Sequence, residues 1–568
     1  MNKQSNSVII HIFSILVILA AIGLIVRLYI VQVARGEDYS QKLNTQQASY
    51  IKDENFDRGM IIFKYKDGRD FFAASNQLGY ILAINPTQIQ NINDTYKQLS
   101  TIVEINKDEF TRHATREGVV RRDVLTKLSE EDALKIKELK LPGVMLILQR
   151  WRSNPGNELA SHVIGFLSER DGQLRGQYGI ERQYNEFLRK DKSELFANVF
   201  VELYSGLKKS FKEENRTGDL ITTLEPNVQA YAEETAKSIQ DSYSSSLTGI
   251  IIMEPKTGEI RAMAQYPTFD LNNFRNVKDV SLFNNSAVEG VYEMGSIIKP
   301  ITIAIGLETK VITASTTYND LGSMTLNNRT FYNYDKKARG VVDMQIVLNN
   351  SLNTGVAFIT SRVGNQKFVD YMRKMFKDKT NIDLPAEGVS LISNLDSLRD
   401  IEVATSSYGQ GIAITPIQTI RALAALGNGG LLVQPHIGKE KKYGYGLYKK
   451  IDIEQPVQIF SKETSEEISR MLTRVVDEAL LGGTVALPNH TIAAKTGTAQ
   501  LVNPNGGYYE DKYLHSFFGY FPAFDPQFIV LMYTIDPRGV SYASGTLTAP
   551  FMSIAKYLIN YYEIEPDR

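Results

Sequence analysis

Residues 8–26, VIIHIFSILVILAAIGLIV, contain no Asp, Glu, Lys or Arg. At 1.5 Å of rise per residue, such a run is about as long as a helix that crosses the hydrocarbon core of a bilayer. The spacing therefore predicts a single membrane crossing near the N-terminus. The run exceeds a usual signal-peptide core and enters Arg27 and Leu28 without a small-x-small cleavage site, so an uncleaved anchor is expected. Lys3 on one side and Arg27 and Arg35 on the other leave its orientation open.

The remainder reads as folded protein. At 568 residues the chain is too long for one ordinary core. Hydrophobic residues at 43% and charged residues at 22% match globular averages and argue against a disordered or polytopic chain. A net charge of -1 gives no general attraction to nucleic acid, and no nucleic-acid partner is expected. The absence of cysteine excludes disulfides, thiol nucleophiles and Cys-ligated zinc. No cofactor or metal is expected, and any covalent nucleophile must be another residue type.

Texture suggests three regions: 1–35 (tail and anchor), 36–215 and 216–568. The second alternates short apolar runs, YILAIN (80–85) and VMLILQ (144–149), with charged helical stretches such as SEEDALKIKEL, a mixed α+β pattern. In the third, GDLITTL predicts a strand and Pro226 opens an apolar-periodic helix. GIIIMEP and EIRAMAQY, joined by Lys256-Thr257-Gly258, predict an antiparallel hairpin. FIVLMYTI predicts a late strand, and a last helix is expected from Pro550 onward. Strands at both ends with helices between them suggest one sheet built from both ends of the region. KEKKYGYGLYKK (439–450) is expected to be a solvated hairpin rather than a nucleic-acid patch.

YEMGSIIKPITIAIGL, residues 292–307, carries the sharpest chemical signal. Pro300 must lie in the first turn of any helix here, so the helix starts no earlier than about Ser296. Free N–H groups and the positive dipole end then favour an oxyanion, and three-residue spacing stacks Lys299 on the face of Ser296. Ser296 is a candidate nucleophile and Lys299 its base, if burial and a second cation lower the lysine pKa. Alone the pattern is weak, since Ser205-Gly-Leu-Lys208 repeats it. Ser351-Leu352-Asn353 and Lys495-Thr496-Gly497-Thr498 follow in order, completing the Ser-x-x-Lys, Ser-x-Asn, Lys-Thr-Gly set of serine penicillin-recognising enzymes. Ser351 would relay a proton, Asn353 bind a substrate amide, and Lys495 supply the second cation. Gly497 would leave an unobstructed strand edge for a substrate peptide, with the Thr496 and Thr498 hydroxyls on its carboxylate. The N–H groups of Ser296 and Thr498 would form the oxyanion hole. Lys256-Thr257-Gly258 precedes the nucleophile and is assigned to turn chemistry. No G-x-S-x-G or H-E-x-x-H occurs, and the six histidines are expected in structural roles.

These motifs, with YGQGIAITPIQ and LGNGG, resemble the class B penicillin-binding proteins over 218–560. FDRGMI (56–61) and YGIERQYNEFL (178–188) are similar to segments of that family's non-catalytic pedestal. Arg58-Gly59 runs into Phe63-Lys64 where the family commonly has Asp-Arg, and Met294 stands where it has proline. The resemblance implies an α+β protein: an N-terminal transmembrane helix, an elongated pedestal, and a transpeptidase domain whose antiparallel sheet is flanked by helices. It further implies an extracytoplasmic D,D-transpeptidase acting on peptidoglycan stem peptides through a serine acyl-enzyme. Implied partners are β-lactams, a membrane glycosyltransferase and divisome proteins. Ser351-Leu352-Asn353 and KPITIAIGLE look more like the septal than the elongation branch. A D,D-carboxypeptidase, a non-catalytic scaffold and a β-lactam sensor are the alternatives. The seven residues ahead of the apolar run argue against the sensor.

Overall fold

A computed structural model of the chain describes residues 58–189 and 217–568, apart from 117, 171, 172, 444 and 445. The predicted anchor at 8–26 and the Ser205-x-x-Lys208 repeat lie outside the described residues. Among the described residues, no helix is long and apolar enough to cross a membrane. The described chain falls into two compact units, Asn76–Trp151 in one and Arg58–Ser75 with the residues from Arg152 in the other.

The larger unit begins with β1 (Ile61–Lys64), which pairs antiparallel with the start of β2 (Asp70–Ile84). The chain enters the smaller unit within β2. There β2 pairs with β3 (Arg122–Leu128) and with β4 (Val144–Ser153), and α1 (Ile92–Leu99), α2 (Lys107–Ala114) and α3 (Glu130–Glu138) accompany them. The side chains of Asn91, Asn106 and Ser129 cap the three helices by accepting main-chain N–H bonds in the first turn. Leu82, Ile84, Leu99, Phe110, Leu128 and Ile136 form the core of this unit. Both apolar runs read from the sequence are strands, and SEEDALKIKEL is a capped helix.

In the larger unit, β5 (Gly218–Thr222) pairs parallel with β1, and α4 (Pro226–Tyr243) follows. The predicted hairpin is β6 (Leu247–Met253) with β7 (Ile260–Tyr266), turned through Gly258 at φ +83°. The two segments similar to a pedestal meet here. Buried Arg58 donates from Nε to Glu181 Oε2 (2.5 Å) and from Nη2 to the Glu181 carbonyl (2.8 Å), while Arg152 pairs with Oε1 of the same carboxylate at 2.7 Å.

Beyond α5 (Lys299–Glu308) lies a small lobe of β8 (Thr317–Asp320), β9 (Ser323–Leu326), β10 (Arg329–Tyr332) and β11 (Gly340–Asp343). It leads into α6 (Met344–Asn349) and α7 (Asn353–Val363), with α8 (Pro416–Ala424) further along the chain. The lysine-tyrosine run is a hairpin, β12 (Gly438–Tyr443) with β13 (Tyr448–Lys450), docked through β12 onto β5. The last strands are β14 (Ala493–Val502), β15 (Tyr508–Phe521) and β16 (Phe528–Ile535).

The main sheet of five described strands runs β14-β15-β16-β6-β7, antiparallel throughout, so both ends of the region build it as expected. Its central strands β6 and β16 are near-continuous apolar runs because both faces are covered there. Ile250 and Ile252 pack beneath α4 and the final helix α9 (Ala543–Tyr562), whereas Ile251 and Met253 face the core that holds α5. One expectation fails: α9 begins at Ala543 and carries Pro550 inside it. Leu547, Phe551, Ile554 and Leu558 bury one continuous apolar stripe, and that packing outweighs the local cost of the proline.

Candidate active site

A 3-10 turn, Gly295–Ile298, runs directly into α5, with Pro300 in the first helical turn as the sequence requires. Ser296 is partly exposed while Gly295, Ile297, Ile298 and Lys299 around it are buried. Gly295 has φ +65°, and a Cβ there would lie 3.1 Å from the Thr498 main chain. The serine turn thus rests against the Lys-Thr-Gly-Thr strand, β14.

Lys299 is 1% exposed, on a helix buried along most of its length. Its Nζ donates to the Ser351 carbonyl (2.5 Å) and to Ser351 Oγ (3.0 Å). Ser351 sits between α6 and α7 at φ +53°, a left-handed conformation uncommon for serine, which turns both of its oxygens toward the lysine. Lys495, 3% exposed on β14, donates to the Thr496 carbonyl at 2.9 Å. Burial first, and the charge of Lys495 second, hold the Lys299 ammonium well below its ordinary pKa. Burial alone lowers Lys495 to about 8. Among the described residues neither lysine has an ion-pair partner. Two unpaired buried ammonium groups are costly, and such perturbed groups concentrate at functional sites.

Asn353, the first residue of α7, donates to the Tyr332 carbonyl at 2.8 Å. Thr498 Oγ1 accepts the Ala543 N–H at the start of α9 (3.1 Å), which leaves its own O–H free to donate elsewhere. β14 is the edge of the sheet, so its outer side can take an added strand. Gly497 is buried, and a Cβ would lie 2.3 Å from Ser516 Oγ and 2.8 Å from the Met294 carbonyl. The glycine lets β14 lie flush against the serine turn, because strand alternation points residue 497 inward.

The three segments that carry the residues singled out from the sequence therefore meet: the turn of Ser296 rests on the strand of Lys495–Thr498, and Lys299 bonds Ser351. The rejected Lys256-Thr257-Gly258 is a hairpin turn, with Lys256 ion-paired to Asp525. His515 lies opposite Thr498, yet its Nδ1 bonds Thr546 Oγ1 (3.0 Å) under α9, and burial pushes it down to about 4. It is a core histidine.

Sequence reasoning missed the bracing of the Ser-x-Asn turn. Buried Asp320 accepts from Thr354 Oγ1 (2.8 Å), Asn333 Nδ2 (2.9 Å) and the Gly322 N–H (3.0 Å), and Asn333 Oδ1 accepts the Thr354 N–H (3.2 Å). Thr354 directly follows Asn353, so the lobe fixes the second motif through its backbone. No spacing pattern announces a bond between positions 320 and 354.

A family model described as penicillin binding protein transpeptidase domain matches residues 248–558, and one described as penicillin-binding protein dimerisation domain matches 54–199. The chain belongs to the class B penicillin-binding proteins. It is 31% identical to stage V sporulation protein D of Bacillus subtilis, over 84% of this chain and 75% of the relative. It is 28% identical to peptidoglycan D,D-transpeptidase FtsI of Buchnera aphidicola, over 87% of each. Among solved structures, penicillin-binding protein 3 of Mycobacterium tuberculosis complexed with ampicillin aligns with a TM-score of 0.64 and 25% identity, covering 74% of this chain and 91% of that one. This penicillin-binding protein thus joins the two-domain α+β architecture of its family to the site described above.

Proposed function

We propose that this penicillin-binding protein is a peptidoglycan D,D-transpeptidase in which Ser296 is the nucleophile. The observation that carries the reading is the buried Lys299, hydrogen-bonded to Ser351 and depressed in pKa by burial and Lys495. A lysine held neutral there accepts the Ser296 proton as Oγ attacks the penultimate D-alanine carbonyl of a stem peptide. The N–H groups of Ser296 and Thr498 receive the oxyanion. The proton passes through Ser351 to the departing D-alanine amine, and an amine of a neighbouring stem then takes the acyl group. Asn353 holds the substrate amide, Lys495 and the Thr496 and Thr498 hydroxyls hold the carboxylate, and the peptide lies along β14 past Gly497. β-Lactams acylate the same serine.

The apolar run at 8–26 supports a single-pass anchor in the bacterial inner membrane, with residues 1–35 as tail and anchor. Residues 36–215 then form the pedestal that meets a membrane glycosyltransferase and divisome proteins, and 216–568 the extracytoplasmic catalytic domain. The likeness of the second motif to the septal branch supports septal cross-linking.

Labelling with a fluorescent penicillin tests the assignment. Wild type takes the label and folded Ser296→Ala does not; a labelled Ser296→Ala protein would put the nucleophile elsewhere. Incubation with a stem peptide and an acceptor amine yields cross-linked product, whereas hydrolysis alone would identify a D,D-carboxypeptidase.

A further inference from the structure

Glu293 stands three residues before Ser296, and none of the three motifs requires a carboxylate there. Its Oε1 accepts the Gly411 N–H at 3.0 Å, and the Tyr508 hydroxyl lies 3.1 Å from Oε1 and 3.0 Å from Oε2. One side chain therefore joins three separate segments: the serine turn, the glycine loop at 408–411, and the hairpin of β14 and β15.

The first junction is tight. The Gly295 N–H donates to the Gly409 carbonyl (3.2 Å), and a Cβ at Gly409 would lie 2.3 Å from the Gly295 carbonyl oxygen. The glycine loop consequently lies flush beneath the serine turn. The second junction reaches the far end of the substrate edge. Tyr508 opens β15 opposite Val502, the last residue of β14, next to the turn closed by the Asn503 N–H and the Gly507 carbonyl (3.0 Å). As an edge strand, β14 has one strand neighbour, so its hairpin end is held only weakly by the sheet itself.

We propose that Glu293 is a positioning residue that clamps the β14–β15 hairpin to the serine turn and so fixes the separation of the two oxyanion donors. The inference rests on the assignment of Ser296 as nucleophile with the Ser296 and Thr498 N–H groups as the oxyanion hole. One donor rides on the turn that Glu293 begins, and the other rides on the strand whose end Glu293 holds. Donors of this kind act within a few tenths of an ångström of the developing charge, so slack in the clamp slows acylation without abolishing the fold.

The test measures the second-order acylation rate of the full-length protein by a fluorescent penicillin, alongside its melting temperature. Glu293→Ala slows acylation about ten- to hundredfold, the range set by hydrogen bonds to a charged group. Tyr508→Phe, at a half-exposed ring, slows it less and leaves melting unchanged. The double variant is no slower than Glu293→Ala, because both changes open the same clamp. Glu293→Gln recovers most of the rate, since its amide oxygen still accepts from Gly411 and its amide still meets Tyr508. Wild-type acylation in Glu293→Ala, or multiplied losses in the double variant, would overturn the clamp. Should Glu293→Ala fail to fold, an unchanged rate in Tyr508→Phe overturns it equally. Penicillin bound at a residue other than Ser296 in wild type would instead remove the assignment on which the clamp rests.

Discussion

Lys299 Nζ lies 3.0 Å from Ser351 Oγ, across fifty-two residues of sequence, and no carboxylate among the described residues is paired with the lysine. In the proposed mechanism this bond is the onward path of the Ser296 proton, and burial favours the neutral lysine that accepts it.

Acylation should therefore follow a bell-shaped pH profile. The rate rises with pH as Lys299 loses its proton, at a pH well below the usual lysine range. It falls as Lys495 deprotonates near 8, when the cation that binds the carboxylate is lost. Lys495→Arg keeps a charge at every accessible pH and should extend the alkaline limb. Rates of penicillin acylation between about pH 5 and 10, in both proteins, check the two limbs.

Lys495 should also cost stability. Its folded pKa of about 8 lies below the unfolded 10.5, so the unfolded state binds the proton more tightly. The penalty is complete below about 8 and fades as pH rises toward 10.5, on the order of 3 kcal/mol. Lys495→Met should raise stability at neutral pH by up to about that amount while acylation collapses. Urea unfolding checks it, and the gain should shrink at alkaline pH; a destabilised variant at neutral pH would contradict the sign.

Gly497→Ala drives a methyl group toward Ser516 Oγ and the Met294 carbonyl. Overpacking of this kind costs about 1–3 kcal/mol. Because Met294 belongs to the serine turn, acylation should slow together with the loss of stability. Removing the Ser516 hydroxyl in Gly497→Ala/Ser516→Ala should restore part of both, read by melting temperature and labelling rate.

Asp320→Ala removes the nearer acceptor of the buried Asn333 amide and Thr354 hydroxyl, leaving them the Lys337 carbonyl (3.5 Å) and Asn333 Oδ1 (3.1 Å). The expected loss is about 3 kcal/mol in urea unfolding. Acylation should also slow in the protein that remains folded, since the Ser351–Asn353 turn loses its brace. Normal acylation at reduced stability would limit Asp320 to the lobe.

Local rules carried the sequence reading wherever a residue's neighbours in the chain decide its state. Pro226 and Pro300 each sit in a first helical turn, Gly258 makes a hairpin turn, and GIIIM is a strand sealed on both faces. The same rules misplaced the start of α9, where apolar contacts across the sheet carry the helix through Pro550. Nor did they announce the packing at Gly497, where a Cβ would meet Ser516 Oγ and the Met294 carbonyl.

The sequence alone was enough to single out Ser296, Lys299 and Lys495 as candidates for acyl transfer, because Ser-x-x-Lys, Ser-x-Asn and Lys-Thr-Gly are short strings whose order is written in the chain. Tertiary structure alone decided that Lys299 bonds Ser351, that Lys495 is near enough to depress it, and that Asp320 and Glu293 stand behind the site. Burial and charge proximity are properties of positions in space, and chain segments separated by dozens to hundreds of residues acquire them only when the core closes.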